Sequence, residues 1–369
     1  MPRLDGMGKK FTTYCLYPAL LAVTWGAAAA AVAAVFVPWV RPVPGRDWVP
    51  LLGLALPAVL TLCAVLALVW SVMRRRWALL PLIGLLANWH YLAAMVQVPL
   101  FQRRVAGPPD LTVASYNVFG FHKEGVRPTA GNVAREMEAR GVDILCLQES
   151  CGGAAYGPDS IAAAFRYLPY RYPPSGTPCE GVTLFSRYPV LAAGMIRFPD
   201  TDNRSMWADV LVGDDTVRVF NNHLQTSGIS RRQDDLRRQR ELGSVTGQTR
   251  VVVSMTGELR RNFGIRARQA ETVRGMIDTT RIPVIVCGDF NDTPASYTYR
   301  VMLGGLTDGF RQAGSGYGDT FRQMRRILRI DYVFYSDAFR SVRYYSPSLP
   351  WSDHDPVVAE LRFVSRYRE

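Results

Sequence analysis

The chain has 369 residues, enough for a membrane segment and one further domain of roughly 250 residues. Its formal net charge is +12. Residues 1–105 hold ten Lys and Arg against two Asp and Glu, and the remainder holds 33 against 29, so most of the basicity flanks apolar sequence and does not by itself mark a nucleic-acid binder.

Three apolar stretches come first, about Tyr17–Val40, Val49–Val72 and Trp77–Phe101. Each supplies the ~20 largely apolar residues that a helix needs to cross hydrocarbon. No acidic residue occurs between Asp47 and Asp110. A cleaved signal peptide has a shorter apolar region and a small-residue cleavage site, whereas Pro38, Trp39, Val40 and Arg41 follow the first stretch. The expectation is an anchor of three transmembrane helices over residues 1–105, followed by a catalytic domain over 106–369. The alternative is that one stretch is a buried or re-entrant helix. Arg3, Lys9 and Lys10 would share the cytoplasmic side with Arg74, Arg75 and Arg76, and Arg41, Arg46, Arg103 and Arg104 would lie opposite. That places an integral inner- or plasma-membrane protein with its C-terminal domain outside the cytoplasm.

A Pro/Gly-containing link, Arg104–Asp110, leads into alternating short apolar and longer amphipathic runs. Leu111–Val118, Val142–Leu147 and Val182–Ser186 read as strands, with a helix over Asn132–Arg140. Met206–Val212 and Thr216–Asn221 read as a strand pair joined by Gly213-Asp214-Asp215. A helix over Arg266–Ile277 precedes strands at Pro283–Cys287, Ile330–Tyr335 and Val357–Arg362. Interleaved strands and helices place the domain in the α/β or α+β class. Cys146 and Cys287 fall in apolar runs, as buried thiols do. Cys151 and Cys179 fall in loop-like sequence, as a disulfide if the compartment is oxidising or otherwise as two free thiols.

The strand ends carry residues that a core does not need. Asn117, Glu149, His223, Asp289 and Asn291 each close an apolar run, and Asp353 and His354 precede the last strand. Singly each has a bland reading: Glu149 as a solvated loop residue, Asn291 as a cap, Asp331 as an edge partner of Arg329, Asp353 and His354 as a turn. Together they suit phosphoester chemistry. Hydrolysis needs charge neutralised on the phosphoryl oxygens, an oriented water and a stabilised leaving oxygen. Hard oxygens such as those of Glu149 and Asp353 suit Mg²⁺, a carboxylate such as Asp289 can hold the water, and an imidazole can contact phosphate oxygens. Two of the four histidines, His223 and His354, close such clusters. Zinc-ligand spacing, a P-loop and a nucleophile elbow are absent.

The ordered set Ser115-Tyr-Asn117, Leu147-Gln-Glu149, Asn221-Asn-His223, Gly288-Asp289-Phe-Asn291, Arg329-Ile-Asp331-Tyr and Ser352-Asp353-His354 resembles the endonuclease/exonuclease/phosphatase (DNase I-like) superfamily. The resemblance covers about residues 110–364. Gly264-Ile-Arg-Ala-Arg-Gln-Ala and the apolar N-terminus resemble its membrane-anchored bacterial branch. It implies a four-layer sandwich of two mixed β-sheets flanked by helices. It implies metal-dependent hydrolysis, with Mg²⁺, or Mn²⁺ in its place, held by Glu149 with Asn117 and Asp353 nearby. Asp289 would orient or deprotonate the water. Asn291 would hold a phosphate oxygen and Asp289. His354, paired with Asp331, would contact phosphate, and His223 would assist the leaving group. Asn117, Asn291 and His354 would contact substrate. Glu180 is a further candidate beside His223.

Arg231–Arg274 holds eleven Arg against five acidic residues. It reads either as an anion-gripping flap or as solvated helices with internal ion pairs. The substrate follows as nucleic acid, for a nuclease, or a lipid headgroup, for a sphingomyelinase-like phosphodiesterase or phosphatase. An inactive membrane scaffold of the same fold is the remaining alternative. The bilayer is the one further partner expected, and no protein partner is implied.

Overall fold

The computed structural model describes residues 15–98, 105–122, 129–151, 158–174, 177–199, 201–228, 235 and 237–364. The basic residues Arg3, Lys9, Lys10, Arg103, Arg104, Arg231 and Arg232 and the end of the third apolar stretch lie outside them. Two compact units result, one of Met1–Ala93 with Ala295–Tyr297 and one of Ala94–Pro294 with Thr298–Glu369.

The first unit is helical. Helix α1 covers Tyr17–Ala34 and α2 covers Val49–Val72. With the turn that continues α1 to Trp39, both are long and apolar enough to cross a membrane. Polar side chains on the two helices pair with each other: Trp70 Nε1 donates to Thr24 Oγ1 at 2.8 Å. The third stretch departs from the expected single helix. It forms α3 (Leu79–Ala87) and α4 (Trp89–Met95), bent by 63°. Asn88 sits at the break, its amide donating to Ala31 O and Gly84 O at 2.8 Å each. Those backbone acceptors satisfy a buried polar side chain that an uninterrupted apolar helix would not carry.

The second unit holds fourteen strands among the described residues. The short β1 (Val96–Gln97) pairs with β11 (Gly316–Tyr317). The others are β2 (Leu111–Asn117), β3 (Ile144–Gln148), β4 (Tyr170–Tyr172), β5 (Val182–Ser186), β6 (Val190–Arg197), β7 (Arg204–Val212), β8 (Asp215–His223), β9 (Val284–Asp289), β10 (Thr307–Asp308), β12 (Asp331–Tyr335), β13 (Phe339–Tyr345) and β14 (Val357–Phe363). One six-stranded sheet runs β10-β12-β9-β8-β7-β6 and the other β13-β14-β2-β3-β5-β4. Both are mixed, with β8–β9 and β2–β3 parallel and the neighbouring pairs antiparallel.

Alternation along each strand builds the layers. Val113, Cys146, Leu184, Met206, Val219, Cys287 and Val333 fill the space between the sheets. The opposite faces carry helices. Val133 and Met137 of α5 (Ala130–Ala139) and Ile161 of α6 (Pro158–Ala164) cover Ala114, Tyr116 and Leu145. Ala270, Val273 and Ile277 of α7 (Val245–Thr279) and Met302 of α8 (Tyr297–Leu303) cover Phe220, Val286, Tyr332 and Phe334. This is the four-layer sandwich that the resemblance implies.

Every strand read from the sequence is present, with small shifts at its ends. The pair β7–β8 turns through Gly213, whose φ of +64° favours glycine. Strands β4 and β13 have no clear apolar run to reveal them, whereas β6, apolar from Val190 to Ile196, has a visible run that is absent from the expected strands. Helix α7 starts at Val245 rather than near Arg266, with the Ser244 hydroxyl accepting from Gly247 N at 3.0 Å as its cap.

Candidate active site

Strand register sets the site. In the parallel pair β8–β9, His223 lies opposite Asp289, and in the antiparallel pair β9–β12, Asp289 lies opposite Asp331. Three chemically active side chains thus sit in one row across three strands. Gly288 permits the row. Its φ is +134°, and a Cβ there would fall 2.0 Å from Asn222 O.

The other sheet faces this row with Asn117, at the end of β2, and Glu149, just beyond β3. Asn117 Nδ2 donates to Glu149 Oε1 at 3.0 Å and to Asp289 Oδ2 at 3.1 Å, which ties the two sheets together at the site. Its Oδ1 accepts from Phe119 N at 3.1 Å, so the amide orientation is fixed. Beneath it Gln148 Nε2 donates to Asn221 Oδ1 at 2.7 Å and to Ser115 Oγ at 3.0 Å. Asn221 Nδ2 in turn donates to Leu147 O at 2.9 Å and Thr183 O at 3.1 Å. This buried clasp between sheets was not assigned from sequence. Its signal was available, because Gln148 and Asn221 are polar residues inside apolar strands.

Asp289 is 1% exposed. Its Oδ1 accepts from Asn291 N at 2.8 Å, and its Oδ2 from Asn291 Nδ2 at 3.2 Å. Asn291 also donates to Leu224 O at 3.1 Å and holds a φ of +54°. Burial raises the Asp289 carboxyl to about 6, opposed by His354 and reinforced by Asp331. His354 Nδ1 lies 2.9 Å from Asp331 Oδ2 and its Nε2 lies 3.7 Å from Asp289 Oδ2. Burial works against protonation of this ring, but the Asp331 and Asp289 carboxylates outweigh it and hold the pKa at about 10. Phe321 packs on the ring with centroids 5.0 Å apart. His223 Nε2 lies 3.7 Å from Glu149 Oε1 and 3.9 Å from Asp289 Oδ2. Burial lowers its pKa, with Asp289 opposing and His354 reinforcing. Among the described residues this buried nitrogen and Asp331 Oδ1 have no hydrogen-bond partner, so both have capacity for a ligand or water.

The remaining candidates fall as follows. The Asp353 carboxylate accepts from Gln323 Nε2 at 3.3 Å, and among the described residues no hydrogen bond joins it to Glu149 or Asn117. Ser352 Oγ links the segment to the site by donating to Asn117 O at 2.7 Å. Glu180 accepts from Arg197 Nε at 2.8 Å and lies 3.6 Å from Arg204 Nε. Arg329 does not pair with Asp331; it is buried against Asp308, with Nη1–Oδ2 at 2.8 Å. Cys151 and Cys179 form a disulfide, and Gly181 N donates to Cys151 Sγ at 3.2 Å, which braces the loop after Glu149.

Ligand atoms of Asp289, Asp331 and His354 lie within 4.8 Å of one another, a grouping that could hold a metal ion. The His354–Asp331 hydrogen bond at Nδ1 leaves Nε2 as the ring nitrogen that could face an ion or a phosphate oxygen. Glu149 has an open carboxylate, its side chain 40% exposed, beside the Asn117 amide. Hard oxygen donors of this kind fit Mg²⁺ or Mn²⁺.

Helix α7 braces two of the site's loops. Arg266 Nε donates to Gln225 O at 2.9 Å and its Nη1 lies 3.1 Å from Asp292 Oδ2. Gln269 Oε1 accepts from Gln225 N at 2.7 Å, and Asn262 Nδ2 donates to Thr226 O at 3.0 Å. These contacts fix the chain just after His223 and just after Asn291.

The family model described as Endonuclease/Exonuclease/phosphatase family matches residues 114–354. A second, described as Domain of unknown function (DUF8431), matches residues 17–95. No curated protein matches the chain. Among solved structures, an endonuclease/exonuclease/phosphatase from Beutenbergia cavernae DSM 12333 is 20% identical, covering 69% of this chain and 71% of that one at a TM-score of 0.49. Sphingomyelinase C from Streptomyces griseocarneus is 22% identical, covering 69% and 99% at 0.45. The human Nocturnin catalytic domain with bound sulfate is 18% identical, covering 73% and 100% at 0.48.

Proposed function

The chain belongs to the endonuclease/exonuclease/phosphatase family, which supports phosphoester hydrolysis as its activity, and from that premise we propose that it is a membrane-tethered, Mg²⁺-dependent phosphodiesterase acting on nucleic acid. The observation that carries the reading is the convergence of Asn117, Glu149, His223, Asp289, Asn291 and the Asp331–His354 pair at the strand ends of both sheets.

Glu149 would hold the cation, with Asn117 and Asp353 nearby, and the cation would supply charge neutralisation on the phosphoryl oxygens. Asp289 receives three hydrogen bonds from Asn117 and Asn291 and retains basicity from burial. It orients the attacking water and takes its proton. Protonated His354, steered by Asp331 through Nδ1, donates from Nε2 to a phosphoryl oxygen. His223 presents Nε2 without a protein partner and stabilises the departing oxygen. Asn291 Nδ2 holds Asp289, and a contact from this amide to substrate would take the place of its bond to Leu224 O.

A lipid headgroup is the second reading, favoured by helices long enough to place the enzyme in a bilayer. The Cys151–Cys179 disulfide supports an extracytoplasmic placement, since such bonds persist in oxidising compartments. The test is hydrolysis of plasmid DNA, RNA and phospholipid vesicles by the purified full chain, with Mg²⁺ and with chelator. Cleavage of nucleic acid that chelation abolishes is expected, and Asp289→Ala should slow it by ~10²–10⁴-fold. Undiminished hydrolysis by that variant would sink the mechanism, and cleavage of none of the substrates would favour the inactive scaffold.

A further inference from the structure

Among the described residues, eight that are not glycine hold a positive φ. All but Arg74 belong to the site or to turns bonded to it: Phe119, Phe121, Glu149, Asn291, Met324, Arg325 and Arg326. Side chains crowd the backbone in this region, so it persists only where surrounding contacts hold it, and such residues gather at active sites and ligand clamps. Two turns carry three positive φ values in a row. Phe119-Gly120-Phe121 follows Asn117, and Met324-Arg325-Arg326 precedes β12.

Each turn is tied to the site. Phe119 N donates to Asn117 Oδ1 at 3.1 Å, and Gly120 N donates to Glu149 O at 2.9 Å. Phe121 is buried and packs on Phe165, with centroids 6.2 Å apart. Phe119 is 42% exposed and packs on no ring among the described residues. The second turn rests on the segment that carries His354. Phe321 packs on that ring, and Gln323 donates to the Asp353 carboxylate. Arg322 Nη1 donates to Asp355 Oδ1 at 3.2 Å, and Arg326 Nε lies 2.8 Å from Asp319 Oδ2. Arg322 and Arg326 are thus neutralised by ion pairs. Arg325 lies between them and is exposed, with neither an ion pair nor a hydrogen bond among the described residues. The Ser352–Asn117 hydrogen bond joins the supports of the two turns, so the exposed ring and the unpaired guanidinium stand on turns that flank one site.

These two groups match the two parts of a nucleotide. An exposed aromatic face offers stacking to any base. A free guanidinium offers paired hydrogen bonds to phosphate. A bilayer fits less well, because the Glu149 carboxylate, itself exposed, adjoins the Phe119 turn and would have to leave water along with the ring. We propose that Phe119 stacks on a base next to the scissile phosphate and that Arg325 pairs with a neighbouring phosphate, so that the enzyme takes unpaired strands in preference to duplex. Stacking on a side chain needs a base splayed from its neighbours, which a single strand supplies. The assignment rests on the reading of the site as a phosphodiesterase.

The test separates binding from turnover. Fluorescence anisotropy of an end-labelled single-stranded DNA oligonucleotide is measured on the detergent-solubilised full chain with chelator present, beside the duplex and a strand of abasic deoxyribose phosphates. The parent should bind the single strand about 10-fold more tightly than the abasic strand. Phe119→Ala should abolish that difference, and Phe119→Trp should keep it. Arg325→Gln should weaken both strands alike and reduce the slope of log affinity against log salt by about 0.7, the share of one phosphate contact. A Phe119→Ala variant that still prefers bases, or that loses both strands equally, would overturn the stacking. Duplex bound as tightly as the single strand would overturn the preference, and an unchanged salt slope in Arg325→Gln would remove the phosphate contact. A loss in Phe119→Ala confined to phospholipid hydrolysis would give the ring to a lipid instead. Hydrolysis with Mg²⁺ on the same samples reads the underlying activity separately. Base-dependent binding through Phe119 without hydrolysis would defeat the phosphodiesterase reading and support the contact, whereas strand hydrolysis indifferent to Phe119 would do the reverse.

Discussion

Replacing Gly288 by Ala probes whether β8 and β9 need their observed separation at the site. A Cβ at Gly288 would lie 2.0 Å from Asn222 O and 2.7 Å from Asn222 N, both backbone atoms of the paired strand, so no flexible side chain can yield. The residue's φ is +134°, costing an L-residue about 1–3 kcal/mol. Forcing the strands apart adds about 1–3 kcal/mol, as overpacking does. The combined loss of roughly 2–6 kcal/mol corresponds to a melting point lower by roughly 5–20 °C for a domain of this size. The displacement falls one residue from the His223–Asp289 pair, so turnover should drop by on the order of 10²-fold. Thermal unfolding followed by tryptophan fluorescence, together with hydrolysis rates on the same preparation, reads both effects. A variant that melts within about 2 °C of the parent and turns over normally would show that the strands accommodate a side chain and that the glycine is not required by packing.

Further outcomes concern the other parts of the site and the anchor. Asp331→Asn and His354→Gln should each cost turnover by about 10²-fold or more. The double variant should be little worse than either, because one hydrogen-bonded pair is lost once; additive losses would dissolve the pairing. Replacing both Cys151 and Cys179 by Ala should lower stability by about 3 kcal/mol, and thiol reductant should do the same to the parent but leave the double variant unchanged. A C-terminal alkaline phosphatase fusion should be active if the catalytic domain is exported, and an inactive one expressed at normal level would reverse the assigned orientation.

Asn117, Glu149, His223, Asp289 and Asn291 were legible because each ends or follows an apolar strand, where a core has no use for an amide, carboxylate or imidazole. His354 was legible from its cluster, but its partner was not settled by spacing. Arg329 is two residues from Asp331 and could have paired with it. In a strand, residues two apart share a face, yet Arg329 precedes β12 and turns into a buried pocket between Phe310 and Tyr332, each ring centroid 4.7 Å from its guanidinium carbon. The break at Asn88 was equally hidden, since one asparagine in an apolar run does not say whether its amide finds a backbone carbonyl on another helix.

The order of strand-end motifs, the apolar lengths of the N-terminal stretches and the binary pattern of the strands are properties of local sequence, and they determined the fold class, the family and the choice of candidate site residues. The neighbours of those residues depended on register and on the packing of one sheet against the other. Asn117 reaches Asp289 across 172 positions of sequence, and His354 reaches Asp331 rather than another acid because β12 delivers it there. Hydrogen bonds and pKa shifts arise from distances and burial, which only the assembled tertiary structure sets. The same holds for α7: its sequence runs without a break, but only the packed structure separates the half with buried residues, from Leu259 on, from the half without them.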